Sequence, residues 1–352
     1  MSGDVTACVI NRNGEAHLPR CLEAVRERRE AFHEVVLVDD ASTDRSVDVA
    51  RSVLPDLRVV RLPRSVGPGG ARNAGLRETG GRWLLFLDCD VVLGAGCPEG
   101  LRQAAVEHQA AFAVPVVTWA DRPGVIHLDG AGTHFLGLMV LTHAGASVRT
   151  LPSTPRMVDS FSTPCFLLDR TRCPWEEPFD ESFLFNLEDH DLGLRARLAG
   201  LRIVSVPSAR ASHGSGTEGF SVRGDGTPPS VRTYCLIRNR WQILLKNYEV
   251  RTLAVLSPAL ALYEVFQLAG VVRRGWTREW LRSLGWMARN LSAVLEKRRR
   301  VQSTRTVSDR ELLTGGPLPF RSDTPRTPLE RGAVRVLEGT VGAWWWLTRR
   351  LV

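Results

Sequence analysis

Asp88 and Asp90 stand two residues apart, just past the apolar run Trp83-Leu84-Leu85-Phe86-Leu87. Hard oxygen ligands at that spacing, in a cleft, suit a divalent cation such as Mg2+ or Mn2+. Such a cation is what a diphosphate leaving group needs. The plainer reading of the same triplet is a solvated acidic turn. Four other clusters bear on the choice. Asp39-Asp40 closes a second apolar run; a carboxylate there accepts the N–H of a pyrimidine base or holds a ribose hydroxyl, or it caps a helix. Gly70-Ala71-Arg72-Asn73-Ala74-Gly75 has glycines that let backbone approach a ligand, with Arg72 at a helix start facing a base or phosphate. Glu188-Asp189-His190-Asp191 opens a helix, where the dipole favours carboxylates, and also offers a general base. His213 becomes a candidate third metal ligand once the Asp pair is nominated, although a lone histidine is more often structural.

These groups need a scaffold, and the apolar pattern supplies one. Residues 5–11, 34–38, 57–62 and 83–87 read as strands, the last as a buried strand of a parallel sheet. Residues 15–28 and 71–79 read as helices, and 41–44 open another with Ser42 or Thr43 as N-cap. Alternating strands and helices with short links call for a parallel sheet with right-handed crossovers. Ligands then bind at the carboxyl ends of the strands, where Asp39-Asp40 and Asp88-x-Asp90 fall. The glycines at 70–75 follow the third strand, whereas a dinucleotide fingerprint follows the first, so a dehydrogenase is disfavoured. Residues 110–170 read as strands and loops forming an acceptor-side wall, with 166–169 a strand. A helix at 187–199 and a strand at 201–206 ending at Pro207 follow, then a Gly/Pro-rich loop at 214–230 that reads as a lid.

Charge divides the 352 residues unevenly. Residues 232–352 carry 22 Lys+Arg against 9 Asp+Glu, while the remainder carries 24 against 29. The last third is therefore a basic, Trp-containing attachment to a mildly acidic body, which points to a membrane surface. Residues 254–272 have only Glu264 charged but contain Pro258, borderline for a span. Trp276, Trp280, Leu284, Met287, Leu291 and Leu295 recur at helical spacing among arginines, as in an interfacial helix. Residues 303–330 read as an irregular linker, and Trp344-Trp345-Trp346 as an interface anchor. Seven cysteines without CxxC spacing signal neither zinc nor a disulfide framework and fit a reducing cytosol. No secretory signal precedes Val5, and no nucleic-acid motif appears.

The order of these pieces resembles the family 2 glycosyltransferases of the GT-A fold over residues 4–247, the bacterial rhamnosyl- and galactofuranosyl-type enzymes above all. The shared motifs are Asp-Asp-Ala-Ser-Thr-Asp at 39–44, Gly-Ala-Arg-Asn-Ala-Gly at 70–75 and Asp-x-Asp at 88–90. Phe-Asp-Glu at 179–181, Glu-Asp-His-Asp at 188–191, Pro-Ser-Ala at 207–209, His213 and Arg238-Asn239-Arg240 complete the set. The resemblance implies an α/β nucleotide-diphospho-sugar transferase fold, with a mostly parallel sheet flanked by helices, in residues 1–247; charge and periodicity make 248–352 a helical, basic extension suited to membrane association. It implies a nucleotide-diphosphate sugar donor bound by Asp39, Asp40, Arg72, Asp88, Asp90, Glu188, Arg238 and Arg240. Mg2+ or Mn2+ would sit on Asp88, Asp90 and His213, and Asp189 would be the base in a single inverting displacement. A glycan, lipid-linked or small-molecule hydroxyl would accept the sugar in cell-envelope or cell-wall synthesis, with the enzyme cytoplasmic and peripheral on the inner membrane face. Arg-Asn-Arg-Trp at 238–241 replaces the Gln-x-x-Arg-Trp of processive synthases, which argues for adding one or a few sugars. Asn11-Arg12-Asn13 stands in place of the more usual Tyr-Asn pair. Two alternatives remain open. A nucleotidyltransferase of the same fold would want a Gly-rich basic loop after the first strand, where 11–16 holds one Gly and one Arg. A non-catalytic membrane-surface module would leave the acidic clusters unused.

Overall fold

The structure, a computed structural model, describes residues 4–214, 230–319 and 327–352. The chain divides into two compact units. The first contains Met1–Ala131, Leu141–Ala196 and Leu201–Pro228, and the second Gly132–Val140, Arg197–Gly200 and Pro229–Val352. The lid expected at 214–230 lies, but for its ends, outside the described residues.

The first unit opens with strand β1 (Val5–Asn11), α1 (Leu18–Arg26), β2 (Phe32–Asp39), α2 (Ser46–Val53) and β3 (Arg58–Arg61). Then come α3 (Gly67–Glu78), β4 (Trp83–Asp88), β5 (Val91–Leu93) and α4 (Cys97–Glu107). β3, β2, β1 and β4 pair in parallel, as the alternating pattern predicts. Both faces of this half are covered. In β4, Trp83, Leu85 and Leu87 enter one apolar core and Leu84 and Phe86 the other. That is why the strand reads as an unbroken apolar run instead of an alternating one.

The chain continues through β6 (Phe112–Trp119), β7 (Ile126–Leu128), β8 (Ala131–His134), β9 (Leu138–Leu141), β10 (Arg156–Met157) and β11 (Cys165–Asp169). Helix α5 (Glu188–Leu198) and β12 (Ile203–His213) close this part. The main sheet runs β10-β12-β6-β11-β4-β1-β2-β3, with β5 on β12 and β7 on β6. β11 lies antiparallel between β4 and β6, so the sheet is mixed. The sequence ended the last strand at Pro207; instead β12 runs on to His213. Its pairing with β6 slips between Val206 and Arg210, a bulge that accommodates Pro207 and re-aims the strand end.

The second unit is mainly helical: α6 (Ser230–Asn247), α7 (Val250–Arg273), α8 (Thr277–Ser303), α9 (Asp309–Leu312), the short strand β13 (Leu313–Thr314) and α10 (Pro328–Thr348). The sequence places 230–247 with the first domain; by packing, α6 goes with the second unit. The supposed linker at 303–330 contains α9, closed by a Ser308–Glu311 capping box, and β13, which pairs with β8. β13, β8 and β9 make a small second sheet. Helix α7 buries one stripe, Thr252, Leu256, Ala259, Tyr263 and Val271, and leaves Val250, Leu262, Val265 and Val272 exposed. On α8, Met287 and Val294 are buried, while Leu281, Leu284, Leu291 and Leu295 are exposed. Of the three consecutive tryptophans, Trp344 donates to Val255 O at 3.0 Å and Trp345 stacks on Phe135 at 4.9 Å; Trp346 is exposed.

Candidate active site

The carboxyl end of β4 delivers the acidic pair. Asp88 N donates to Pro164 O, Cys89 N to Ile10 O, and Gly214 N to Asp90 O. Backbone bonds to three neighbouring segments thus fix both carboxylates. Cys89 between them is buried, and burial pushes its thiol well above the ordinary range. It is filler in the core, not a nucleophile. The bulged end of β12 brings His213 to the pair, with Nε2 3.1 Å from Asp90 Oδ1. One ligand atom each from Asp88, Asp90 and His213 falls within 4.8 Å of the others. The three residues nominated from sequence therefore meet in one place. Asp90 and His213 side chains are each 6% exposed, and Asp88 is 31% exposed, so the cluster opens on the Asp88 side.

Asp39 and Asp40 are both buried at the end of β2. Asp39 accepts from Asn11 Nδ2 at 2.8 Å and Ser42 N at 3.3 Å. Asp40 accepts from Ser65 Oγ, Val66 N and Gly67 N at 2.7, 2.7 and 3.1 Å. A capping role was the modest reading of this pair, and Asp40 fills it at α3, the second helix after its strand. Helix α3 begins at Gly67, not at Ala71. Gly67 has φ +78°, and a Cβ there would lie 1.8 Å from Leu184 O. Gly75 faces Cys8 Sγ and Val38, so its missing side chain admits the sheet instead of a ligand.

Arg72 turns out to be an internal organiser. It is buried, and its NH2 donates to Asp88 Oδ1 at 2.5 Å and to Thr163 O at 2.9 Å. Its NH1 stands 3.8 Å from Glu188 Oε1. Arg72 NH1 and Glu188 Oε2 are buried without a hydrogen-bond partner among the described residues. Buried polar atoms are normally satisfied, so these two have capacity for a further partner. Asn73 exchanges bonds with Phe179, donating to its O at 2.9 Å and accepting from its N at 3.1 Å, and also donates to Glu181. The 70–75 and 179–181 motifs thus hold each other.

Helix α5 splits the Glu-Asp-His-Asp run into two pairs. His190 and Asp191 face inward: Asp191 accepts from Arg195 at 2.8 Å, and His190 Nδ1 lies 3.1 Å from Ser160 Oγ. Burial drives the His190 imidazole down to about 4, so it stays neutral. Asp189 is half-buried and accepts from Ser162 Oγ and from His190 N, each at 2.8 Å. Burial raises the Asp189 carboxyl above its ordinary value. Glu188 is pushed up to about 8, by burial first and the Asp189 charge second.

Nothing in the sequence singled out Ser162-Thr163-Pro164. Yet these consecutive residues touch Asp189, Arg72 and Asp88 in turn. Trp119 and His127, which stack at 3.8 Å, were missed as well; His127 Nδ1 lies 3.3 Å from His213 Nδ1. Arg238 and Arg240 belong to the second unit and are engaged within it. Arg238 donates to Asn239 Oδ1 and Tyr234 OH and lies over the Trp286 ring. Arg240 donates to Leu136 O, pairs with Glu264 and covers Tyr263.

The chain has the GT-A fold. GalNAc-T7, crystallised with UDP, GalNAc and Mn2+, matches 74% of this chain and 51% of its own with a TM-score of 0.56 at 15% identity. Residues 6–126, about a third of the chain, match Glycosyl transferase family 2. The succinoglycan biosynthesis protein ExoO of Rhizobium meliloti is 36% identical over 128 residues, which are 36% of this chain and 35% of ExoO. The N-acetylglucosaminyl-diphospho-decaprenol L-rhamnosyltransferase of Mycobacterium tuberculosis is 29% identical over 222 residues, 56% of this chain and 71% of the relative. The matched region thus spans about a third of ExoO and about 70% of the mycobacterial protein.

Proposed function

We propose that this chain moves a sugar from a nucleotide-diphosphate sugar to a hydroxyl acceptor with inversion, using Mg2+ or Mn2+ at Asp88, Asp90 and His213. The observation that carries the reading is the 162–164 run, which ties the candidate base, Arg72 and the acidic pair into one frame. Two carboxylates and one imidazole within 4.8 Å suit either cation. A cation bound there would offset the negative charge that builds on the diphosphate as it leaves. Asp189 takes the proton of the acceptor hydroxyl. That oxygen bonds to the anomeric carbon while the bond from this carbon to the diphosphate oxygen breaks, its electron pair leaving with the diphosphate. Arg72 holds Asp88 in place and lends positive charge beside it. Asp39 and Asp40, at the end of the neighbouring parallel strand, border the nucleotide.

The test is thermal unfolding of the full chain with UDP-, GDP- and dTDP-sugars, in Mn2+ or in EDTA. A bound donor raises the midpoint. We expect at least one sugar nucleotide to do so in Mn2+ and not in EDTA; no shift with any of them refutes the reading.

We also propose that the acceptor belongs to the cell envelope and that the second unit makes a peripheral contact with the inner membrane face. Helix α7 is long and apolar enough to cross a membrane, and only 22% of its most apolar stretch is buried. One stripe of it packs on protein and Pro258 interrupts it, which favours lying at the surface over spanning. The exposed leucines of α8 and the excess of 22 basic over 9 acidic residues support the same contact. The mycobacterial relative's name includes a diphospho-decaprenol, in keeping with a lipid-linked acceptor.

A further inference from the structure

His127 is outside every motif, yet strand register delivers it to the acidic cluster. His213 pairs with Trp119 across β12 and β6, and Thr118 pairs with Ile126 across β6 and β7. Three neighbouring strand ends therefore line up the rings of Trp119, His127 and His213. Trp119 and His127 stack at 3.8 Å and 28°, and His127 and His213 at 5.2 Å and 29°. Between the two imidazoles the near atoms are both Nδ1, 3.3 Å apart.

We propose that His127 is a positioning residue that sets the tautomer of His213, so that Nε2 of His213 offers its lone pair to a divalent cation. This inference rests on the cation reading above. A neutral imidazole has one N–H and one lone pair. If Nε2 of His213 binds a cation, the proton must sit on Nδ1, and it needs an acceptor. The atom facing it is Nδ1 of His127. His127 accepts only when its own proton is on Nε2. Two imidazoles meeting through Nδ1 share one bridging proton, and a cation on His213 assigns that proton to His213. A carboxylate or carbonyl, the usual partner of a metal-binding histidine, accepts whatever its state. An imidazole accepts in one tautomer only, so the cation fixes the state of both rings. His127 is not a fourth ligand: it meets His213 at Nδ1, while Asp90 is reached from Nε2 on the opposite side of that ring. The Trp119 stack holds the His127 ring in place for this bond.

The experiment measures Mn2+ affinity of the full chain, with Mn2+ alone, by the electron paramagnetic resonance of the free ion. His127→Phe keeps the ring and its stack but removes the acceptor. His127→Asn places an amide oxygen near the lost Nδ1. Partners of this kind are worth about 10–100-fold in metal affinity, so the Phe variant should weaken Mn2+ binding by that factor and Asn should restore it to within about threefold. Equal binding by the Phe variant and the parent overturns the proposal. Equal weakening in Phe and Asn also overturns it, because a merely structural role predicts that pattern. A parent chain that binds no Mn2+ overturns the cation reading, and this inference with it. A second measurement needs no variant. In 15N-histidine-labelled protein loaded with Mg2+, His213 should carry its proton on Nδ1 and His127 on Nε2; a proton on Nδ1 of His127 overturns the assignment.

Discussion

Asp189→Asn separates the chemistry from the scaffold. Asp189 makes two hydrogen bonds, from Ser162 Oγ to Oδ2 and from His190 N to Oδ1, each 2.8 Å. An asparagine oriented with its oxygen toward His190 N keeps the first-turn bond of α5. Its amide then donates to Ser162 Oγ, since a hydroxyl accepts as readily as it donates. Both contacts survive, so unfolding free energy should stay within about 1 kcal/mol of the parent, the net worth of one ordinary hydrogen bond. What the variant loses is a proton acceptor. General base catalysis contributes about 10²–10⁴-fold, equivalent to about 3–5 kcal/mol of barrier. Single-turnover transfer to acceptor, followed by quantifying glycosylated product, should fall by that factor, while calorimetric affinity for the donor changes by less than about tenfold, or ~1.4 kcal/mol. A folded Asp189→Asn protein that transfers within tenfold of the parent rate would refute the assignment of the base. A matching loss of donor affinity would instead place Asp189 in donor binding.

Glu188→Gln should change how stability depends on pH. A carboxyl at about 8 in the folded chain and about 4.3 unfolded favours the fold fully below pH 4, and that contribution is lost as pH rises toward 8; urea unfolding should therefore show the variant gaining on the parent between pH 5 and 8, and a constant difference would refute the proton on Glu188. Gly67→Ala forces a Cβ to within 1.8 Å of Leu184 O at φ +78°, so it should cost more than the ~1–2 kcal/mol of left-handed backbone alone; an unchanged urea midpoint would contradict the packing at α3. The full chain should sediment with vesicles containing anionic lipid and release in high salt. Replacing Leu284 and Leu291 with Glu should weaken this at least tenfold, given ~1.5–3 kcal/mol per buried leucine, and undiminished binding would remove α8 from the contact.

Local pattern carried the parallel half of the sheet, because strands covered on both faces leave an apolar run that neighbours cannot disguise. It did not carry β11, whose pairing with β4 depends on residues some 80 positions apart in sequence, from Trp83 to Asp169. The acidic pair, Asp189 and His213 were legible as candidates, since carboxylates and imidazoles have few substitutes as ligands or bases. Ser162, Thr163 and Pro164 were not, because two of the three act through backbone oxygens that any residue supplies. Trp344 and Trp345 carry two readings at once. An indole suits a membrane interface or a packed helix contact equally well; Trp344 and Trp345 make such contacts while partly exposed, and Trp346 is exposed.

Arg72 links the proposed cation side of the site to the proposed base side. Its NH2 holds Asp88, on the cation side, and Thr163 O, the residue beside the Asp189 anchor Ser162. Its NH1 faces Glu188, next to the base. Charge on Arg72 therefore opposes the burial that raises Glu188 and Asp189. A neutral residue there would leave burial of Glu188 and Asp189 unopposed by that charge. A lysine would keep the charge yet lose the planar fork that reaches Asp88, Thr163 and Glu188 together. On the proposed reading, the cation side and the base side therefore share one buried side chain, which contacts Asp88 and Thr163 and stands beside Glu188.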